Sequence, residues 1–278
     1  MTRRQALAGS ADRLAAAGCE SADVDAEILL AHVLGLRRSE LRATLDRELD
    51  AEHAADLEAL ARRRERREPL AYVLGEWGFR RLTLKVDGRV LVPRPETEVL
   101  VERCLALVSD LGEPRVLDVG TGSGAIALSI ADEHPGSVVT GVDRSTDALD
   151  VARANAVSTG IDVELREWDL FHGLPSGPWD LVASNPPYVR PDEIERLEPE
   201  VRDWEPRAAL VGEGATESIA RASLDVLRPG GALVLEVAEG AAAGVSALLD
   251  ELGFGAVRIT ADLAGRERVV EGVLGGAR

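Results

Sequence analysis

Asn185-Pro186-Pro187-Tyr188 closes a short apolar run, Trp179-Asp180-Leu181-Val182-Ala183-Ser184. Proline has no N–H to give to a ladder, so two in succession cannot lie inside a central strand. The chain is therefore expected to leave a sheet here, and open α/β sheets bind ligands at the C-terminal ends of their strands. The four residues also suit one chemistry. Asn185 offers a side-chain carbonyl, and the Pro186 carbonyl is a second acceptor held by two fixed φ angles. Tyr188 adds a flat aromatic face. Two acceptors beside a stacking wall make a receptor for a planar NH2 group. Taken alone the tetrapeptide reads more simply as a rigid turn, because Asn-Pro and Pro-Pro are common punctuation. A second motif upstream changes that.

Arg115–Val119 reads as a buried strand feeding Gly120-Thr121-Gly122-Ser123-Gly124, and an apolar helix over 125–131 follows. Glycines let a ligand approach the backbone, and the helix N-terminus favours an anionic group. The spacing is G-x-G-x-G, not the full G-x-G-x-x-G of the dinucleotide fingerprint, with Ala125 following. A second strand, residues 138–142, ends in Asp143, about 20 residues beyond the glycines and placed to bind a ribose diol. A third run, residues 163–167, leads to Trp168-Asp169-Leu170-Phe171, where an acid with apolar neighbours can hold an adenine edge. At this point two cofactors remain open, a nicotinamide dinucleotide and S-adenosylmethionine.

Before this unit the pattern is different. Apolar residues at i, i+3, i+4 spacing predict four helices, over 4–17, 23–34, 40–48 and 51–67. Ser21 with Asp23, and Ser39, are expected N-caps; Gly18 and Gly35 are expected stops. The basic cluster Arg62-Arg63-Arg64-Glu65-Arg66-Arg67 reads as a solvated helix face rather than a nucleic-acid patch, since its footprint is small. Nothing in this bundle looks catalytic, so partner recognition is its expected role. Pro69 ends the last helix. Residues 75–92 alternate, and Asp87-Gly88 predicts a hairpin there. Pro95 or Glu96 then opens a helix to about residue 109, with Arg94 and Glu96 expected on one wall of a cleft between two domains. Beyond Tyr188, the long stretch 190–210 is expected to act as a lid. Residues 232–237 form a fifth buried strand, a helix follows over 241–252, and 257–260 and 267–273 close the sheet antiparallel. The fold class is thus α/β: a helical bundle (1–74), a β-hairpin linker (75–97) and a doubly wound, seven-stranded, mostly parallel sheet (98–278).

Charge narrows the function classes. Of 32 basic and 49 acidic residues, 13 and 15 fall in residues 1–80, so the remainder carries a net −15. That excess repels polyphosphate and argues against bare DNA or RNA as partner. No apolar run reaches the ~18 residues of a membrane span, and Met1-Thr2-Arg3-Arg4 has no apolar signal core behind it. Cys19 and Cys104 lack metal-ligand spacing. No metal, no membrane and a reducing, cytoplasmic setting are the expectations.

Asp118-Val-Gly-Thr-Gly-Ser-Gly124, Asp143 and Asn185-Pro-Pro-Tyr188 together resemble class I S-adenosylmethionine-dependent methyltransferases of planar amino groups, which have a Rossmann-like fold. The longer set is more specific. Glu68-Pro-Leu-Ala-Tyr72, Gly75 to Phe79, Leu91-Val-Pro-Arg-Pro-Glu-Thr-Glu98 and Arg266-Glu-Arg-Val-Val270 resemble the peptide-chain release factor glutamine methyltransferase family, over nearly the whole chain and most weakly in residues 1–60. Pro93-Arg-Pro-Glu-Thr-Glu98 discriminates, because nucleic-acid amino-methyltransferases share Asn-Pro-Pro-Tyr but generally not that linker. The resemblance implies N5 methylation of the glutamine in the Gly-Gly-Gln loop of class I release factors. It further implies that Gly120, Thr121, Gly122, Ser123, Gly124, Asp143, Asp169 and Leu170, with Asn185, hold S-adenosylmethionine, which is converted to S-adenosylhomocysteine. Asn185, Pro186, Pro187 and Tyr188 would hold the glutamine. One departure is that some members carry an aromatic directly after the acid, whereas here Leu170 follows Asp169 and Trp168 precedes it.

Three rivals follow from the same residues. One is an enzyme of like chemistry on another substrate, either a ribosomal-protein glutamine or adenine N6 or cytosine N4. The others are a nicotinamide oxidoreductase and a non-catalytic adaptor.

Overall fold

Thr2 starts the first helix with a reciprocal capping box: its hydroxyl accepts from Gln5 N, and Gln5 Oε1 accepts from Thr2 N. The computed structural model describes residues 1–275, the side chain of Phe171 excepted. In the N-terminal part it gives α1 (Arg3–Ala16), α2 (Ala22–Val33), α3 (Arg38–Arg42), α4 (Ala51–Glu65) and α5 (Leu70–Leu74). Gly18 and Gly35 sit at positive φ where α1 and α2 stop, as expected of glycine. Two caps differ from expectation. Ser21 holds the N-cap position but gives its hydroxyl to Asp25 Oδ1 (2.7 Å), and Arg37, not Ser39, is the N-cap of α3. That third helix is also shorter than predicted, because the chain turns after Arg42 and Glu48 bridges back to Thr2. Pro69 does not stop α4, which has already ended; it starts α5, where its missing N–H costs nothing.

The basic cluster at the end of α4 is only in part a solvated face: Arg62 and Arg66 are exposed, whereas Arg63, Arg64 and Arg67 turn to acids and carbonyls. Arg64 is buried, with Nε donating to Asp25 Oδ2 (2.8 Å), Nη1 to the Glu68 carbonyl (3.2 Å) and Nη2 paired with Glu200 Oε1 (2.7 Å). Arg67 donates twice to Glu200, at 2.6 Å each. Arg63 holds Glu68 and the Tyr72 and Val73 carbonyls. Charge density had suggested a surface, but three acids meet it from other segments. Backbone contacts accordingly group Leu197–Trp204 with Met1–Glu76 as one unit, and Trp77–Arg196 with Glu205–Arg278 as a second. The stretch 190–210 is therefore not structureless: it holds short helical turns at Ile194–Arg196, α9 (Pro199–Arg202) and α10 (Arg207–Leu210).

The expected hairpin exists but turns elsewhere. β1 (Glu76–Phe79) and β2 (Leu82–Lys85) pair around Arg80 and Arg81, and Asp87-Gly88 forms a later turn. Arg80 tolerates φ +50 because the position is fastened. Its N–H donates to Glu98 Oε1 (2.8 Å), and its guanidinium reaches the Glu98 carbonyl (3.0 Å) and Glu133.

Pro95 at the first position opens α6 (Pro95–Val108), whose buried residues Thr97, Leu100, Val101, Cys104 and Val108 form one stripe. Then follow β3 (Arg115–Val119), α7 (Ala125–Glu133), β4 (Val138–Asp143), α8 (Thr146–Thr159), β5 (Glu164–Glu167), β6 (Trp179–Ser184), α11 (Ala215–Val226), β7 (Leu227–Glu236), α12 (Ala242–Glu251), β8 (Phe254–Ala261) and β9 (Glu267–Leu274). Among the described residues they make a seven-stranded sheet in the order β5-β4-β3-β6-β7-β9-β8, antiparallel only at β9. This is the doubly wound sheet the sequence predicts.

Strand period sorts the core into two layers. Val116, Leu181, Ala183, Ala232 and Val234 pack with α6 and α7, whereas Leu117, Val182, Leu233 and Leu235 pack with residues of α11 and α12. Each fully buried Leu or Val contributes about 1.5–3 kcal/mol. Among the described residues no helix is long and apolar enough to cross a membrane.

Candidate functional site

β3 and β6 are sheet neighbours, yet the chain runs outward through β4 and β5 before it returns to β6. Their C-terminal ends are thus the switch point of the sheet. Val119 is in register with Ser184, so Gly120 and Asn185 leave the sheet side by side. A cavity of about 290 Å³ opens there. Gly120, Thr121, Gly122, Ser123, Asp143, Trp168, Asp169, Leu170, Asn185 and Pro187 all line it, with Arg94 and Thr97 from the start of α6. Two motifs 65 residues apart in sequence therefore share one space, as expected.

The glycine loop is held from below. Gly120 N and Thr121 N donate to the Val142 carbonyl (2.8 and 2.9 Å). Gly122 N donates to Asp143 Oδ2 (3.0 Å), and Ser145 N donates to Oδ1 (2.9 Å), which fixes the carboxylate at the tip of β4. Gly120 and Gly122 adopt φ +76 and +56, and no side-chain atom lies where the Cβ of another residue would stand at either. Behind the loop Asn155, fully buried on α8, accepts from Lys85 N (2.7 Å) and donates to the carbonyls of Lys85 (3.0 Å) and Ser123 (2.9 Å). It ties the loop to the hairpin, a role no sequence pattern disclosed.

Not every predicted residue reaches this cavity. Gly124 is the N-cap of α7. Pro186 is buried and outside the lining; Tyr188 lines a neighbouring cavity of about 310 Å³ with Val237, Ala241 and Leu248. Glu96 is outside the lining too, paired with Arg266 at 2.7 Å. The Phe171 side chain, part of the expected adenine wall, lies outside the described residues. Trp168, of the same expected stretch, lines the cavity, its Nε1 donating to the Gly173 carbonyl (2.9 Å).

The tetrapeptide is braced from the segment after the excursion. Val189 N donates to the Leu210 carbonyl (2.9 Å), and Val189 bridges Val211. Gly212 packs so closely that a Cβ would stand 2.4 Å from Pro187 Cγ and 2.6 Å from its carbonyl oxygen. Only glycine fits there. Glu205, buried, receives both contacts of Arg94 Nη2 (2.7 Å each), joining the linker to the same segment. Burial raises the Glu205 carboxyl and Arg94 opposes that shift.

Three buried polar residues complete the picture. Asn185 Nδ2 donates to Thr97 Oγ1 (3.2 Å), and Thr97 Oγ1 donates to Glu236 Oε2 (2.6 Å). Glu236 ends β7 on the α6 face, the even-numbered face of Ala232 and Val234. Burial pushes its pKa up to about 7. The third is Asp118, on β3, whose Oδ2 accepts from Thr121 Oγ1 (2.6 Å) and Ala127 N (3.2 Å). Its Oδ1 has no partner among the described residues. Burial pushes this carboxyl to about 7 against those two bonds.

Asp118 yields a pH prediction. A folded pKa above the unfolded one means the folded chain keeps a proton that the unfolded chain releases between about pH 4 and 7. Stability contributed by the protonated form is therefore lost as pH rises through that window. Asp118→Asn retains an acceptor for both bonds and cannot ionise. Its Tm should exceed wild type by several degrees at pH 8 and match it near pH 4.5. The same offset at both pH values would exclude titration of Asp118 as the cause.

Residues 5–75 match the family described as PrmC N-terminal domain, and residues 96–197 match the Methyltransferase small domain. A Release factor glutamine methyltransferase of Caulobacter vibrioides is 39% identical over 98% of this chain and 96% of its own length. One of Deinococcus radiodurans is 42% identical over 97% and 98%. A solved methyltransferase from Pyrococcus furiosus superposes on 69% of this chain and 88% of its own with a TM-score of 0.51, at 19% identity, which is a likeness of fold.

Proposed function

The chain belongs to the release factor glutamine methyltransferase family, and from that premise we propose that it methylates the side-chain nitrogen (N5) of the Gly-Gly-Gln glutamine in class I peptide-chain release factors. The observation that carries this reading is the single cavity shared by the glycine loop, Asp143 and Asn185. S-adenosylmethionine suits the residues present. The positions where a Cβ would stand at Gly120 and Gly122 are open, Asp143 presents a carboxylate to the cavity from the tip of β4, and Trp168 with Leu170 gives an apolar wall. When bound, it supplies an electrophilic methyl group on a sulfonium.

The chain's own residues then have an orienting task. An amide nitrogen is a weak nucleophile because its lone pair is delocalised into the carbonyl. Asn185 Oδ1, on the cavity wall, accepts an N–H of the substrate amide, fixes the nitrogen and supports positive charge developing on it. The amide proton leaves late, to solvent. Residues 1–74 serve substrate recognition, and the net −15 of residues 81–278 favours a protein substrate over nucleic acid. A cytoplasmic site of action, without a metal or a membrane, completes the reading.

The test is mass spectrometry of a release factor incubated with the enzyme and S-adenosylmethionine. One added methyl on the Gly-Gly-Gln glutamine is expected. Methylation confined to a ribosomal protein or to a nucleic-acid base would replace this reading with a rival.

A further inference from the structure

Asn185 can accept a substrate N–H only if its carboxamide is turned the right way, and the two ends of a carboxamide are nearly equal in shape. Something must set the sense. Nδ2 is directed at Thr97 Oγ1 (3.2 Å), and Thr97 directs its own proton at Glu236 Oε2 (2.6 Å). Thr97 is 4% exposed and Glu236 2%, so water does not take over these bonds. A hydroxyl has one proton. While Glu236 is ionised it can only accept, so Thr97 must donate to it, and the remaining lone pairs of Oγ1 can only accept from Asn185. A protonated Glu236 can instead donate to Thr97. The hydroxyl proton is then free to turn toward Asn185, and the carboxamide can flip, presenting NH2 to the substrate NH2.

We propose that Thr97 and Glu236 are positioning residues, a buried relay in which an ionised carboxylate fixes the sense of the Thr97 hydroxyl and thereby holds Asn185 with Oδ1 toward the substrate amide. The inference rests on the methyltransferase reading above and adds to it two residues that act through Asn185, Thr97 at the cavity edge and Glu236 behind it. Its charged surroundings are mixed. Glu96 on α6 discourages ionisation of Glu236, as burial does, whereas Arg268 and Arg94 favour it; Tyr188 also lies within its field. Glu96 is itself paired with Arg266, and Arg94 with Glu205.

The full-length enzyme with a release factor and S-adenosylmethionine provides the test. Thr97→Val, which removes the hydroxyl at nearly constant shape, should lower kcat at least tenfold with KM and S-adenosylhomocysteine affinity within a few fold of wild type. Thr97→Ser, which keeps the hydroxyl, should recover most of that rate. Glu236→Gln should also lower kcat. Wild-type kcat should fall as pH drops below about 7, and Glu236→Gln should abolish that fall, since the glutamine has no proton to gain. If Thr97→Val is as active as Thr97→Ser, the inference is overturned while the function stands. A wild-type enzyme that transfers no methyl to the glutamine overturns both. Should Glu236→Gln lose cofactor binding, and so its fold, the Thr97 pair decides alone.

Discussion

Asn185→Ala should lower kcat for glutamine methylation by about two to three orders of magnitude, the usual effect of deleting one preorganised polar group aimed at a developing charge. The loss should fall on the chemical step. Asn185 leaves β6 beside Gly120, but the glycine loop is held by Val142, Asp143 and Asn155, none of which depends on the Asn185 side chain. Affinity for S-adenosylhomocysteine, measured by calorimetry, should therefore stay within a few fold. Asn185→Asp is a harsher change than its size implies. It deletes the donor to Thr97 and sets a second carboxylate on the relay that ends in Glu236. An Asn185→Ala enzyme turning over at near-normal rate would remove the carboxamide from the mechanism.

The second large effect is on stability. Arg64→Ala should destabilise the N-terminal unit by about 3–5 kcal/mol, since removing one partner of a buried pair strands the others. Among the described residues, Asp25, 4% exposed, would be left with the Ser21 hydroxyl, and Glu200 with Arg67 as its remaining cation. Urea denaturation measures the loss, and limited proteolysis should find new cleavage within Leu197–Trp204, the segment that Arg64 and Arg67 hold through Glu200. Arg62→Ala is the control. Its side chain is 71% exposed and its pair with Glu58 lies along the helix surface, so less than about 0.5 kcal/mol should change. Equal stability of the two variants would mean that the Arg64 cluster contributes nothing net.

Those two residues also mark how far the sequence could be read. Asn185 stood out because proline geometry is local: two prolines end a strand wherever they occur. The same locality gave β3 and β6 to the residue and narrowed the opening of α6 to Pro95 or Glu96, of which the fold takes Pro95. Arg64 was misread because a run of arginines shows its own charge and not the acids that will meet it. Asp25 is 39 residues away and Glu200 is 136 residues away in the chain. The hairpin turn was misplaced for a related reason. Asp87-Gly88 is the stronger local turn signal, but Arg80 could take positive φ once Glu98 and Glu133 held it.

Glu236 lay between these cases. An acid at the end of Ala232-Leu-Val-Leu235, on the face shared with Ala232 and Val234, is a charge in a buried row, and strand period alone would have flagged it. Its partner could not be flagged, because Thr97 reads as an ordinary first-turn residue of a helix.

Patterns with a short repeat, a strand's alternation, a helix's stripe or a proline's missing donor, were enough to set the layers, the strand edge and the residue types offered there. Direction was not set by them. Which way Asn185 faces, which acids neutralise Arg64 and which glycine lies against Pro187 depend on atoms brought together across the fold, and a hydrogen bond acquires its sense only from the neighbour at its far end.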